Sequence, residues 1–174
     1  MDGMEPGTTG RAEAGRALVT ANTVLTAVFV VSSFAAAAVF DQPWKSVAVA
    51  VDIACFAVGV VAFLWGYWNA VQRSREEEIG VAALYFLMDG IAPRVTALRM
   101  NLLLGVQTVW GIATALWRGS TDGKPGSTLA FGILVPMLGL GLNGLWGAFH
   151  GTFRPRQERR GRGVSRPDTG NGQD

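Results

Sequence analysis

The stretch from residue 46 to residue 71 reads SVAVAVDIACFAVGVVAFLWGYWNAV, and Asp52 is its only charged residue. A helix of about 20 apolar residues is long enough to cross the hydrocarbon core of a bilayer. Three further blocks without Asp, Glu, Lys or Arg run from Leu18 to Phe40, from Met100 to Trp117 and from Ser127 to Phe153. A water-soluble chain of 174 residues with four such blocks would have too little polar surface.

We therefore predict an all-α, polytopic membrane protein whose transmembrane domain, residues 18–153, is a four-helix bundle. The spans are expected at about 18–40, 46–70, 97–117 and 128–150. Composition agrees, because charged residues make up only 16% of the chain, against about 25% in an ordinary soluble domain. A cleaved signal peptide is the alternative for the first block, but that block is longer than the usual apolar region of such a peptide.

Basic residues are distributed unevenly around the predicted spans. All but three of the 15 Lys and Arg residues lie in the two tails and in the segment between spans two and three; the exceptions are Lys45, Arg118 and Lys124. Because basic residues accumulate on the cytoplasmic side, we predict a multi-pass protein of the cell membrane with both termini in the cytoplasm. The frequent Arg, Ala, Gly and Val are typical of a GC-rich bacterial genome.

Both tails are expected to be disordered and cytoplasmic. They comprise residues 1–17 and residues 154–174, and the second tail is rich in arginine and almost free of apolar residues. A basic segment directly after a membrane span is attracted to anionic lipid. The bilayer and its anionic lipids are therefore the expected partners of this tail, and no nucleic acid is predicted to bind.

The segment between spans two and three contains EEEIGVAALYFLMDGIAPR, residues 76–94, whose apolar run is too short to cross a bilayer. Ser74 followed by Glu77 is a capping-box pattern. We therefore predict a short cytoplasmic interfacial helix at about 75–88, buried on most sides because it has no polar face. A re-entrant half-helix is the less favoured alternative, since it would carry Asp89 to the middle of the membrane.

Asp52 is the only acidic residue inside a predicted span. At a rise of 1.5 Å per residue, it lies at the depth of Ser33 in span one and of Gln107 in span three. Ionisable residues inside a membrane are costly and often functional. These three residues therefore form the candidate polar site, in which Asp52 is either a structural hydrogen-bonding group or a carrier of a proton or cation.

Span four carries a small or amide side chain at every fourth position, at Gly139, Asn143, Gly147 and Gly151. Faces of small residues let membrane helices approach closely. This candidate packing face predicts either close contact between spans three and four or a homo-oligomer. Pro136 is expected to kink span four.

The sequence contains no nucleotide-binding, zinc-protease or nucleophile-elbow motif, and the single Cys55 excludes an intramolecular disulfide and a cysteine-built zinc site. No catalytic, cofactor-binding or metal-ligating residue is predicted. The leading hypothesis is a non-enzymatic accessory or scaffold protein that contacts a membrane partner through the glycine face or the buried middle helix. The alternative is a small oligomeric transporter or ion-coupled permease that uses Asp52.

Overall fold

The computed structural model describes residues 6–121 and 124–155. Its helices are α1 (Pro6–Val39), α2 (Trp44–Arg73), α3 (Val81–Phe86), α4 (Arg94–Trp117), a 3₁₀ helix (Thr128–Leu134) and α5 (Pro136–His150). Helices α1, α2 and α4, together with the continuous path of the 3₁₀ helix and α5, are long and apolar enough to cross a membrane. The prediction of a mainly helical fold with four such spans is therefore confirmed.

Two short antiparallel ladders join the loops. Strand β1 (Glu77–Glu78) pairs with β4 (Arg154–Pro155), and strand β2 (Ser120–Thr121) pairs with β3 (Lys124–Pro125). We call the end of the bundle where α1 ends and α2 begins the loop end, and the end where α1 begins and α5 ends the terminal end. The first ladder lies at the terminal end, so it ties the chain after α5 to the segment after α2.

Helix α1 begins much earlier than the predicted first span. Residues 6–17 are helical, so the prediction of a disordered tail is wrong for them, and residues 1–5 lie outside the described part. Gly15 is buried in this extension, and a Cβ placed on it would lie 3.3 Å from Nε1 of Trp146. The absent side chain therefore lets the extension of α1 pack against α5. In the C-terminal tail, residues 154–155 form β4, which corrects the prediction of disorder there, and residues 156–174 are outside the described part.

The middle helix is shorter than predicted and begins later. Helix α2 continues to Arg73, so Ser74 caps its C-terminus and donates a hydrogen bond to the carbonyl of Val71, 2.7 Å away. Glu77 lies in β1 and forms an ion pair with Arg73 at 2.8 Å, so the predicted capping box does not form. The prediction of burial on most sides is also wrong, because α3 has a buried and an exposed face: Ala83, Leu84 and Tyr85 are buried, whereas Val81, Ala82 and Phe86 are exposed.

Helices α2 and α5 cross with their backbones in contact. A Cβ on Gly59 would lie 2.5 Å from the amide nitrogen of Leu138, and a Cβ on Gly66 would lie 2.8 Å from the carbonyl carbon of Gly144. Apart from its first residue, the buried face of α2 is built almost entirely from small side chains: Lys45, Ala48, Asp52, Cys55, Gly59, Ala62, Gly66 and Ala70. This face allows a closer approach than larger side chains would permit.

The predicted close packing of spans three and four is found near the loop end. A Cβ on Gly111 of α4 would lie 2.5 Å from the carbonyl oxygen of Gly132 in the 3₁₀ helix. The fourth span changes from a 3₁₀ helix to an α-helix at Pro136, the residue predicted to disturb it. This change of helix type matters for the site described next, since it exposes backbone N–H groups at the start of α5.

Candidate functional site

Gln107 joins three helices in the interior of the bundle. Its side chain is fully buried, and its amide nitrogen donates to Oγ1 of Thr26 at 2.7 Å and to Oδ1 of Asn22 at 3.1 Å, both on α1. Its carbonyl oxygen accepts a hydrogen bond from the backbone N–H of Gly139 at 3.0 Å. Gly139 lies in the first turn of α5, where N–H groups lack a partner within the α-helix, so Gln107 supplies the missing acceptor.

Ser33 connects α1 to α4 by a second interhelical hydrogen bond. Its hydroxyl donates to the carbonyl of Phe29 at 2.6 Å and accepts from Nε1 of Trp110 at 2.8 Å. Neither Ser33 nor Gln107 forms a hydrogen bond with Asp52. The three residues of the predicted polar site are therefore not brought together by hydrogen bonds, although two of them bind helices to one another.

Asp52 lies on the buried face of α2, and only 1% of its surface is exposed. Neither oxygen of its carboxyl group has a hydrogen-bond partner in the described part of the chain. Its nearest neighbours along this face are Ala48 and Cys55, one turn away on either side. Burying a carboxylate without donors costs several kcal/mol, so packing alone gives no reason for an acid at this position.

The glycine face of α5 is covered within the chain. Gly139 faces Leu104 of α4, Gly147 faces Leu84 of α3, and Gly151 lies just after the end of α5. A Cβ on Gly139 or Gly151 would lie closer than 3.0 Å to an atom of the same chain, and a Cβ on Gly147 would make a tight contact of 3.0 Å with Leu84. The face is therefore in contact with other helices of the described chain, and the homo-oligomer stays a prediction that this face does not support.

Asn143 links α5 to α3 and to α4. Its amide donates to the carbonyl of Tyr85 at 3.0 Å and to Oδ1 of Asn101 at 3.1 Å, and Asn101 in turn donates to the carbonyl of Phe86 at 2.7 Å. The ring of Tyr85 is stacked on that of Phe63, with ring centres 4.3 Å apart. Burial raises the pKa of Tyr85 to about 12, so at neutral pH its hydroxyl remains a donor, which binds the carbonyl of Phe63. Tyr85 and its neighbours on the buried side of α3 therefore contact other parts of the same chain, and partner binding through this helix stays a prediction.

Arg73, the last residue of α2, binds the C-terminal end of α5. Its guanidinium donates to the carbonyls of Ala148 at 2.6 Å and Gly151 at 3.3 Å, and it lies over the ring of Phe153 at 5.1 Å. Carbonyls in the last turn of a helix lack intrahelical donors and carry partial negative charge. Together with its ion pair to Glu77, Arg73 therefore satisfies the C-terminus of α5 and fixes the ladder of β1 and β4.

These contacts define a four-span helical bundle whose long helices have the length and hydropathy of membrane spans. Among the residues that the structure describes, no group of three or more His, Cys, Asp or Glu side chains is placed to hold a metal ion. No protein-family model, curated protein or solved structure matches the chain. The function is therefore inferred from the residues of this chain alone.

Proposed function

We propose that the protein is a multi-pass integral membrane protein with both termini in the cytoplasm. The outward faces of the long helices support membrane insertion, because large apolar side chains such as Val31 and Val109, 67% and 70% exposed, lie along them. In water this surface would cost roughly 25 cal/mol for each Å², whereas lipid solvates it. The orientation is supported by exposed arginines at the terminal end: Arg16, Arg75, Arg94 and Arg99.

The cations of the loop end behave differently. Lys45 and Arg118 both lie over the ring of Phe40, at 4.3 Å and 4.7 Å from its centre, and Arg118 also donates to the carbonyl of Ala37. Both side chains are held against the bundle by cation–π contacts, and with Lys124 they are the only three of the 15 Lys and Arg residues of the sequence on this side. In this orientation α3 lies on the cytoplasmic side.

The function that we propose is that of a non-enzymatic accessory protein that binds another membrane-embedded helix through the outer face of α4. Among the four spans, α4 is the least covered by the rest of the chain. In an apolar stretch of 18 residues within it, 22% are buried, compared with 50% in the corresponding stretch of the fourth span. Gly105 lies at the middle of its outer face, and apart from the backbone of α4 itself no atom of the described residues lies within 4 Å of the position of a Cβ there. The outer face also carries large apolar side chains: Leu98, Leu102, Val109, Ile112 and Leu116.

Gly105 is the observation that carries this proposal. A glycine in the interior of a helix costs about 1 kcal/mol relative to alanine, and no close contact within the chain requires one at this position. On an exposed face, a small residue allows a second helix to approach closely. The free-energy cost of a glycine at this position of the helix is therefore explained if a partner helix crosses α4 at Gly105.

Replacing Gly105 with Leu should remove the partner without unfolding the chain. The protein is cross-linked in native membranes and then purified in gentle detergent. The wild-type chain should be recovered with a partner membrane protein in fixed stoichiometry. The Gly105→Leu variant should carry at least about tenfold less of this partner per chain. Ala54→Leu, on the exposed side of α2, is the matched control and should retain the partner. A wild-type chain recovered alone, or equal losses in both variants, would contradict the proposal.

Ion handling at Asp52 is the second candidate function. It is favoured by one observation, the buried carboxyl group whose two oxygens have no hydrogen-bond partner in the described chain. Such a group can take up and release a proton or a small cation without first breaking an existing hydrogen bond. In this case the protein would act as a small oligomeric permease.

This second candidate predicts a clear result for Asp52→Asn. Proteoliposomes with the wild-type chain should show a proton or monovalent-cation flux, and the variant should reduce it to the level of empty liposomes, because Asn cannot exchange a proton. Ser33→Ala is the control and should retain flux, since within the described residues Ser33 bonds to Phe29, Val30 and Trp110 and not to Asp52. The absence of flux from wild-type proteoliposomes would eliminate this candidate and leave the accessory function.

A further inference from the structure

The last turn of α3 is held by asparagine side chains from two spans. The carbonyl of Tyr85 accepts from the amide of Asn143 at 3.0 Å, and the carbonyl of Phe86 accepts from the amide of Asn101 at 2.7 Å. Asn101 lies about two turns after the start of α4, and Asn143 lies about two turns before the end of α5. At a rise of 1.5 Å per residue, both positions are about 10 Å inside the ends of their helices.

The ring of Tyr85 extends along α2 to a similar depth. It is stacked on the ring of Phe63, with ring centres 4.3 Å apart, and its hydroxyl donates to the carbonyl of Phe63 at 3.2 Å. Phe63 lies almost three turns before the end of α2, about 15 Å from that end. Contacts with three spans therefore agree that the last turn of α3 lies inside the level at which α2 and α5 end and α4 begins.

The two asparagines satisfy carbonyls that water would otherwise hydrate. The last carbonyls of a helix have no donor within the helix, and a helix end that faces water needs no donor from a side chain. In hydrocarbon, however, an unsatisfied backbone group costs several kcal/mol. The amides that Asn101 and Asn143 place here, inside two apolar spans, are therefore explained if water does not reach the end of α3.

The face of α3 that is turned away from the bundle is apolar. Ala82 and Phe86 lie one turn apart and are both exposed, with 41% of Phe86 accessible. No charged residue lies between Glu78 and Asp89 along the chain. These two residues line one polar cleft of about 760 Å³ together with Arg154. The segment therefore leaves this cleft and returns to it, so its flanking charges stay at the polar surface while α3 lies deeper.

Arg99 indicates where the lipid headgroups lie on this side. It is exposed and precedes Asn101 by about half a turn of α4. Side chains of a helix are tilted toward its N-terminus, so we expect this long side chain to extend toward the terminal end and to place its guanidinium among the headgroups. The carbonyl of Phe86, bound to Asn101, then lies several ångströms deeper, which is the depth that the apolar face of an inserted helix reaches.

We propose that residues 79–88 form a shallow re-entrant wedge, the α3 wedge, in the cytoplasmic leaflet, and that its exposed face contacts the acyl chains of the lipid. This face is little more than one turn of helix, far less than the roughly 800 Å² that each partner of a stable protein complex buries. Lipid hydrocarbon is therefore its occupant. The inference rests on the proposed membrane insertion but neither on partner binding through α4 nor on ion handling at Asp52.

Nitroxide labels on single cysteines of the full-length protein in liposomes test this placement. Cys55→Ala removes the native thiol, and labels are attached in turn to Phe86→Cys, Asp89→Cys and Val31→Cys. Power-saturation EPR measures collisions of each label with oxygen, which dissolves in hydrocarbon, and with a water-soluble nickel chelate. The label at position 86 should collide several-fold more with oxygen and lie about 5–10 Å below the phosphates. The label at position 89 should favour the nickel chelate.

Val31, which is 67% exposed on α1, is the reference for membrane insertion, and its label should favour oxygen. If this label favours the nickel chelate, the proposed insertion fails and the α3 wedge fails with it. If it favours oxygen but the label at position 86 favours nickel, the α3 wedge alone is refuted. A label at position 86 that is shielded from both reagents would mean that protein covers α3, which also overturns the proposal. Where Phe86→Cys does not fold, Ala82→Cys places the label on the same face.

The asparagine bonds allow a second measurement. Asn101→Ala removes the amide that satisfies the carbonyl of Phe86, so the end of α3 should move toward water and the nickel accessibility at position 86 should rise several-fold. Asn69→Ala is the control, because within the described residues the amide of Asn69 donates to the carbonyl of Trp65 on its own helix. It should leave the label unaffected. Equal changes in the two variants would contradict the role of Asn101 in holding the α3 wedge.

Discussion

The Gly59→Ala variant should lose about 3 kcal/mol of its free energy of unfolding, which is a large effect for one added methyl group. The new Cβ would lie 2.5 Å from the amide nitrogen of Leu138 and 2.5 Å from the carbonyl carbon of Met137. Both are backbone atoms of α5, so no flexible side chain can move aside. The two helices must separate, and the contact between the carbonyl of Gly59 and Gly141 opens with them.

Gly105→Ala is the matched control for this variant. It adds the same methyl group to a glycine of a long helix, but at a position where no described atom outside the backbone of α4 lies within 4 Å. Because alanine favours a helix over glycine by up to about 1 kcal/mol, this variant should unfold at the wild-type temperature or slightly above it. Unfolding of both variants in the same detergent, followed by tryptophan fluorescence, gives the comparison. Equal unfolding temperatures would show that the backbone contact of α2 and α5 is not tight.

The four long helices could be predicted because bilayer thickness sets a minimum length for an uncharged block. The predicted fourth span, 128–150, coincides with the candidate span Thr128–His150, and α4 ends at Trp117 as predicted. The first span was predicted too short, because hydropathy marks only the part of a helix that is apolar. The polar N-terminal extension of α1 is recognised only from its packing in the structure, in which Gly15 contacts Trp146.

The choice of helix partners could not be predicted from the same signals. Depth along a helix follows from residue number, and the sequence therefore predicts that Ser33 and Gln107 lie at the level of Asp52; both side chains are buried in the bundle. Rotation about the helix axis does not follow from depth, and their hydrogen bonds go to Trp110, Thr26 and other groups rather than to Asp52. The spacing of Gly59 and Gly66 by two helical turns is the one sequence signal for the contact of α2 with α5.

The middle segment shows how a local pattern is overridden by a longer-range contact. Ser74 and Glu77 have the spacing of a capping box, but α2 continues to Arg73 and takes Ser74 as its last cap. Glu77 is then held by the guanidinium that also binds the end of α5. The role of Arg73 could not be predicted, because its carbonyl acceptors lie about 75 residues away along the chain. Local sequence patterns carry no information on such a contact.

Replacement of Gln107 by Leu should lower the free energy of unfolding by about 2 kcal/mol. Interhelical hydrogen bonds in membrane proteins contribute about 0.6 kcal/mol each, and Gln107 makes three. The variant also leaves the buried N–H of Gly139 without its acceptor, which adds to the loss. Thr108→Val is the control: within the described residues its hydroxyl bonds only to the carbonyl of Leu104 on its own helix, so its removal should change stability by less than about 0.5 kcal/mol.

Amide hydrogen exchange gives this prediction a local readout. The side chain of Gln107 accepts from the N–H of Gly139, so Gln107→Leu should speed exchange at Gly139 by at least about tenfold, since each factor of ten corresponds to 1.4 kcal/mol. Thr108→Val should leave that amide protected. A Gln107→Leu variant with unchanged protection at Gly139 would mean that the first turn of α5 finds its acceptor elsewhere, and that Gln107 does not hold α4 to α5. Faster exchange at Gly139 without a matching change in global stability would instead limit the role of Gln107 to the start of α5.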